Sequence, residues 1–298
     1  MTLLGLRAQE CSSLWITCPQ AQNGQQVAYA SECVAADSIA HAQVVVASTG
    51  YFRLYVNGSL VTVPPYPLAR APFRDGATDG MAVATRFDIT RHLQKGRNVV
   101  VMHCSPLDDT TATAFSLRLS GVYADGREFL RDADDSWMCC PLGASFIGSK
   151  TEFQDGRESI ASLTLDTDGC VMRWLPAATD LRNIPVSGGM SVDTNYEYIS
   201  KVIKPRFFSV AGDEKSVSFD FGAGFYGMLR VTIRNTKPGQ RLFIDGSEYV
   251  CKGKDDEQFV MRFASSWFRK IYISGDEKFT TKQVSKVEGL QILPIIAK

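Results

Sequence analysis

No stretch of eleven or more residues in this chain places apolar side chains at a 3.6-residue period. Apolar residues instead alternate along short runs, and the runs stop at pairs that reverse the chain. Tyr51–Val56 (YFRLYV) alternates, Asn57-Gly58 follows, and a second run occupies 59–63. Asn-Gly between two such runs predicts a tight hairpin, because both turn residues must accept positive φ. Asp125-Gly126 sits the same way between Ala114–Tyr123 and 127–130, and Lys237-Pro238-Gly239-Gln240 separates 228–234 from Arg241–Ile244. Such a chain cannot form a helical bundle or a doubly wound α/β fold, since both need long amphipathic helices. The pattern predicts an all-β protein: two antiparallel β-sandwich, jelly-roll-like domains in tandem, with short helical turns.

Further runs at 43–47, 81–87 and 98–103 read as strands of the first sandwich. Residues 88–93 read as one helical turn, with Asp88 as its N-cap and Gly96 as its stop. In the second sandwich the expected strands are 201–210, 217–221, 228–234, 257–263, 268–274 and 290–296. Pro205 marks 201–210 as an edge strand. Gly222-Ala223-Gly224-Phe225-Tyr226-Gly227 matches a dinucleotide-loop pattern, but alternating residues flank it and no helix follows, so it reads as a bend or bulge. At 298 residues the length suits about two domains. The expected division is 1–182, with 146–182 as connection, and 183–298.

The 32 basic and 32 acidic residues cancel, which leaves no electrostatic footprint for nucleic acid or anionic lipid. No apolar run approaches a membrane span, and 1–19 carries one basic residue, Arg7, and no apolar segment of a secretory signal. The expectation is a cytoplasmic protein or a piece of a longer one. The eight cysteines form no CxxC pair and are expected as free, buried thiols.

Reaction chemistry is sparse. Three histidines, His41, His92 and His103, have no Ser or Cys partner at a recognised spacing. Acidic groups fall in sets: Asp108-Asp109, Asp132 with Asp134-Asp135, Asp166 with Asp168, and Asp255-Asp256-Glu257. All lie between expected strands and read as solvated turn residues. A calcium ion could take such hard oxygens, but the spacing of a dedicated loop is absent, and no cofactor is expected.

Aromatic residues outside the alternating runs are more informative. The segment 64–80 holds four prolines and cannot be a central strand. It brings together Tyr66, Arg70, Phe73, Arg74 and Asp75. A flat ring beside Arg and Asp suits a sugar, whose C–H groups stack while its hydroxyls take charged partners. Trp137, after Asp134-Asp135, joins these five as a candidate carbohydrate contact. Trp267, after Ser265-Ser266, has a similar setting.

Taken in order, these segments resemble the accessory β-domains of bacterial α-L-rhamnosidases of glycoside hydrolase family 78. The resemblance covers about residues 43 to 298. It runs from the aromatic strand and its Asn57-Gly58 turn to Phe87-Asp88-Ile89-Thr90 and Gly96-Arg97-Asn98-Val99. Tyr123 to Arg127 and Asp135-Ser136-Trp137 come next, then Phe153-Gln154-Asp155-Gly156-Arg157-Glu158 and Trp174-Leu175-Pro176-Ala177. In the second half it rests on Phe219 to Arg230, Pro238-Gly239-Gln240, Arg262-Phe263 and the strand from Phe268 to Ile273. There are departures. Ser105-Pro106-Leu107-Asp108-Asp109 replaces a Gly-Asp-Gly-Trp-Tyr, Ser266-Trp267 replaces a His-Gly, and the stretch after Glu248 is shorter.

The resemblance implies a rhamnosidase N-terminal-like sandwich followed by a concanavalin-like one. In that family the catalytic acids belong to an (α/α)₆ barrel that follows these modules, and this chain ends where the barrel would begin. No catalytic residue is therefore carried over. The implied role is a non-catalytic module that supports a barrel in cis or in trans and touches carbohydrate. The alternative is a free-standing protein that binds rhamnose-containing glycans.

Overall fold

The computed structural model describes residues 14–62, 82–147, 151–158, 173–180, 186–191, 197–212 and 214–294. Its fold is all-β. The described residues form two sheets, of seven and fifteen strands, and the only helical elements among them are 3₁₀ turns such as Thr90–His92 and Thr281–Gln283. No helix among them is long and apolar enough to cross a membrane.

The seven-stranded sheet runs in the order Ala178–Asp180, Trp15–Thr17, Ala114–Tyr123, Ile39–Ser48, Ala82–Asp88, Val186–Ser191, with Glu128–Asp132 added to Ala114–Tyr123. It packs on the strands Met138–Ile147, Gln25–Ala35, Gly96–Ser105 and Tyr51–Val56 of the larger sheet. The core between them draws from both layers, with Phe115, Leu117, Val44 and Phe87 on one side and Tyr29, Phe52, Leu54 and Met102 on the other. Each large side chain removed from water there contributes about 1.5–3 kcal/mol. The Asn57-Gly58 hairpin forms as expected, with φ of 50° and 76°. The helical turn near Asp88 is a 3₁₀ turn over Thr90–His92, steadied by Thr90 N–H donating to the Asp88 carboxylate at 2.8 Å.

The second half is built on one strand of 19 residues, Ser216–Arg234. Its first part pairs with Phe207–Val210 and its last part with Asp256–Val260 and Val284–Pro294, while Ser266–Gly275 pairs along the first part and the bend, as far as Gly227. The pairing register shifts between Asp220 and Phe225, so the glycine segment is a bulge inside a strand, and it lets the strand change partners. The core there is Phe225, Leu229, Val231, Phe259, Ile271 and their neighbours. The expected edge strand at 201–210 is two strands, Glu197–Ile203 and Phe207–Val210, because Lys204-Pro205 interrupts the ladder.

The segment read as connection carries structure of its own. Within 146–182, Thr151–Asp155 is a strand that pairs antiparallel with Met138–Ile147 and parallel with Ser247–Val250. That parallel pair makes the fifteen-stranded sheet continuous through both halves of the chain.

Candidate functional site

Five of the six candidate sugar contacts, Tyr66, Arg70, Phe73, Arg74 and Asp75, lie outside the described residues. Trp137 is placed in the first core at 3% exposure, with the Phe115 ring edge-on to it at 5.0 Å. Its faces are taken by protein, so it is a packing residue and not a surface stacking group.

The acidic sets divide. Asp108 accepts the backbone N–H groups of Thr110 and Thr111, and Asp132 takes Arg118 at 2.6 and 2.8 Å, both as turn or surface partners. Asp166 and Asp168 lie outside the described residues. Glu257 corrects the expectation of a solvated turn residue, because it is 3% exposed. Its carboxylate accepts the Tyr249 hydroxyl at 3.0 Å, the N–H groups of Lys252, Gly253 and Lys254 at 2.8–2.9 Å, and the Thr236 hydroxyl. Burial pushes this carboxyl up, but the donors outweigh burial and hold it below its ordinary value.

Glu152 has no counterpart among the expected sites. It is fully buried and accepts the N–H groups of Arg262, Phe263 and Ala264 together with the Gln154 side-chain amide at 2.8 Å. Beside it, Arg53 donates to the Arg262 carbonyl and lies 5.5 Å over the Phe263 ring, and buried His103 meets the same ring edge-on at 4.8 Å. Glu152, Arg53 and His103 belong to the N-terminal half and 262–264 to the C-terminal half. The cluster is a latch between them.

A polar cavity of about 300 Å³ opens next to this latch, lined among others by Asp155, Tyr249, Lys252, Glu257 and Arg262. A glycosidase site needs one carboxyl held protonated and a second free to act. Here Asp155 is held down by the Arg157 guanidinium, and Glu257 is saturated by donors. Of the carboxylates that line this cavity, Asp155 and Glu257 are structural anchors. Among the described residues, no group of three His, Cys, Asp or Glu side chains is placed to hold a metal ion.

The second feature is on the surface. On the strand Ser266–Gly275, Phe268, Ile271 and Ile273 point inward, whereas Trp267 and Tyr272 are 66% and 56% exposed. Trp267 pairs with Tyr226, whose hydroxyl shares a hydrogen bond with Ser265 at 2.8 Å. Its indole lies flat over Gly224, where a Cβ would meet Nε1 at 2.5 Å. Arg206 covers Gly222 in the same way. Trp267 is thus an exposed strand residue and not a turn residue.

No family model matches this chain, and no curated protein matches it. Solved structures do. An α-L-rhamnosidase from Dictyoglumus thermophilum superposes with a TM-score of 0.73 at 19% identity, covering 94% of this chain and 35% of its own. An α-L-rhamnosidase from Aspergillus terreus gives 0.72 at 13% identity over 94% of this chain and 36% of its own. The Streptomyces avermitilis α-L-rhamnosidase solved with L-rhamnose gives 0.69 at 18% identity over 93% and 29%. The fold is thus that of about a third of each of these enzymes.

Proposed function

We propose that this chain acts as a non-catalytic accessory module of an α-L-rhamnosidase-like glycoside hydrolase, supporting a catalytic (α/α)₆ domain. One observation carries the reading: nearly the whole chain superposes on about a third of an α-L-rhamnosidase, and two-thirds of that enzyme has no counterpart here. Two features support it. Glu257, which lines the cavity, and Glu152 beside it are tied into structural bonds. The C-terminal half also keeps an apolar edge, with Phe208 69% and Val210 41% exposed beside a groove of about 280 Å³. Sheet edges of this kind are normally covered, and a neighbouring catalytic domain is the occupant this reading assigns. Purified chain is expected to leave an aryl α-L-rhamnoside intact, and turnover would sink the proposal. When mixed with a catalytic domain of this class, it is expected to raise that domain's melting temperature.

A second reading is a free-standing protein that binds rhamnose-containing glycans. It is favoured by the exposed Trp267 and Tyr272, since large rings left in water on a sheet face mark binding surfaces. Calorimetry against rhamnose and rhamnose-containing oligosaccharides tests it, with Tyr66→Ala and Phe73→Ala expected to weaken binding. Flat titrations across the panel remove it.

A further inference from the structure

We propose that the outer face of the C-terminal sheet binds an acidic polysaccharide strand, with Trp267 and Tyr272 as stacking platforms and Arg206 as the carboxylate contact. This deepens the carbohydrate reading and does not depend on the likeness to rhamnosidases.

The bulge is the origin of the site. Trp267 and Tyr272 are five residues apart, and in a regular strand they would face opposite ways. The register shift between Asp220 and Phe225 lets both face out, together with Lys270 between them. Five residues of strand separate the two rings by roughly 16 Å. That span suits successive rings of an extended glycan and exceeds one sugar.

The chemistry of the face selects the ligand class. A surface that docks protein has a continuous apolar centre. Here Lys270 stands between the two rings, and the exposed Phe207 lies across Asp220 from it. Lys270 lies 5.2 Å over the Tyr272 ring and pairs in register with Asp220, and the Tyr226–Ser265 hydroxyl pair flanks Trp267. Gly224 lets the indole lie flat with its face in water, the orientation that stacks on a pyranose. Arg206 is exposed, lies over Gly222, two residues along the chain from the Gly224 under Trp267, borders the groove beside Phe208, and makes no ion pair or side-chain hydrogen bond with another described residue. An unpaired guanidinium beside a stacking ring recognises a carboxylate bidentately, which points to a uronic-acid unit.

The test is calorimetry of the whole chain with an oligogalacturonate as acidic probe and a galacto-oligosaccharide as neutral one. The acidic oligomer is expected to bind, with affinity that falls as salt rises. Trp267→Ala is expected to weaken it about tenfold or more and to abolish its quenching of tryptophan fluorescence. Arg206→Gln is expected to weaken it about tenfold and flatten the salt dependence. Both side chains are exposed, so unchanged melting curves verify the fold, and Tyr272→Ala provides a second probe. Equal binding of both oligomers with Arg206→Gln silent overturns the acidic assignment. Glycan binding that Trp267→Ala and Tyr272→Ala leave intact removes this site while the carbohydrate reading stands, and no glycan binding at all removes both. Self-association relieved by Trp267→Ala, without glycan binding, overturns the proposal in favour of a protein contact.

Discussion

The Glu152 carboxylate accepts the backbone N–H of Phe263 at 2.6 Å, across 111 residues of chain. The bond joins the first half of the molecule to the second, beside the parallel pair of Phe153 with Glu248. A buried carboxylate is costly unless donors surround it, and four donors do so here. The two halves of the chain are thereby held together.

Glu152→Gln keeps the side chain's shape and removes its charge, and it aims an amide NH₂ at N–H groups that need an acceptor. The expected loss is about 3 kcal/mol of unfolding free energy, read from urea denaturation. A change below about 0.5 kcal/mol would mean that the latch is not a stabilising element.

His103 is 2% exposed, and Gln26 Oε1 lies 2.9 Å from its Nε2, which makes Nε2 the donor of a neutral ring. Burial, then the Arg262 and Arg53 cations, hold its pKa well below 6.5. Above pH 6.5 the ring is neutral in both folded and unfolded chains, and its titration adds no pH dependence. Below 6.5 the unfolded chain takes a proton that the folded one refuses. Stability therefore falls with falling pH, by about 1.4 kcal/mol per unit. Between pH 6.5 and 5, His103→Gln should show a slope shallower by that amount. Parallel slopes for variant and wild type would remove His103 as the cause.

Much of the fold is written locally. Asn57-Gly58 dictates its hairpin, and the strand Arg241–Ile244 has its expected bounds. The strands that escape notice, Gln25–Ala35 and Met138–Ile147, are rich in Ala, Ser, Cys and Gly. Gln26 through Ala30 are all buried in succession, so no alternation exists to be read. The site divides for a similar reason. Trp137 and Trp267 both follow short polar pairs, yet one is 3% and the other 66% exposed. A second layer covers the first and not the second, and no neighbouring residue encodes that. Likewise nothing adjacent to Glu152 announces its donors, which come from 262–264.

Gly289 faces the ring of Phe225, where a Cβ would stand 2.6 Å from Cε1. That ring is 1% exposed and already packed on Phe221 at 5.0 Å and Phe268 at 5.7 Å. It has nowhere to move. Gly289→Ala is expected to cost about 1–3 kcal/mol by overpacking, seen as a lower thermal midpoint. An unchanged midpoint would show that the core around Phe225 is looser than its ring contacts indicate.

Phe208 stands on the edge strand Phe207–Val210 with 69% of its surface in water, its ring 6.3 Å from that of Phe219. An exposed apolar edge favours association between copies of a chain when its proper cover is absent. Phe208→Asp puts a charge on that edge and removes little buried area, so the folded state should lose no more than about 1 kcal/mol. Sedimentation velocity at rising concentration should show less association for the variant than for the parent chain. If Phe208 is a docking residue, the same variant should also fail to raise the melting temperature of an added catalytic domain. A variant that associates like the parent and still stabilises that domain would take Phe208 out of the docking edge.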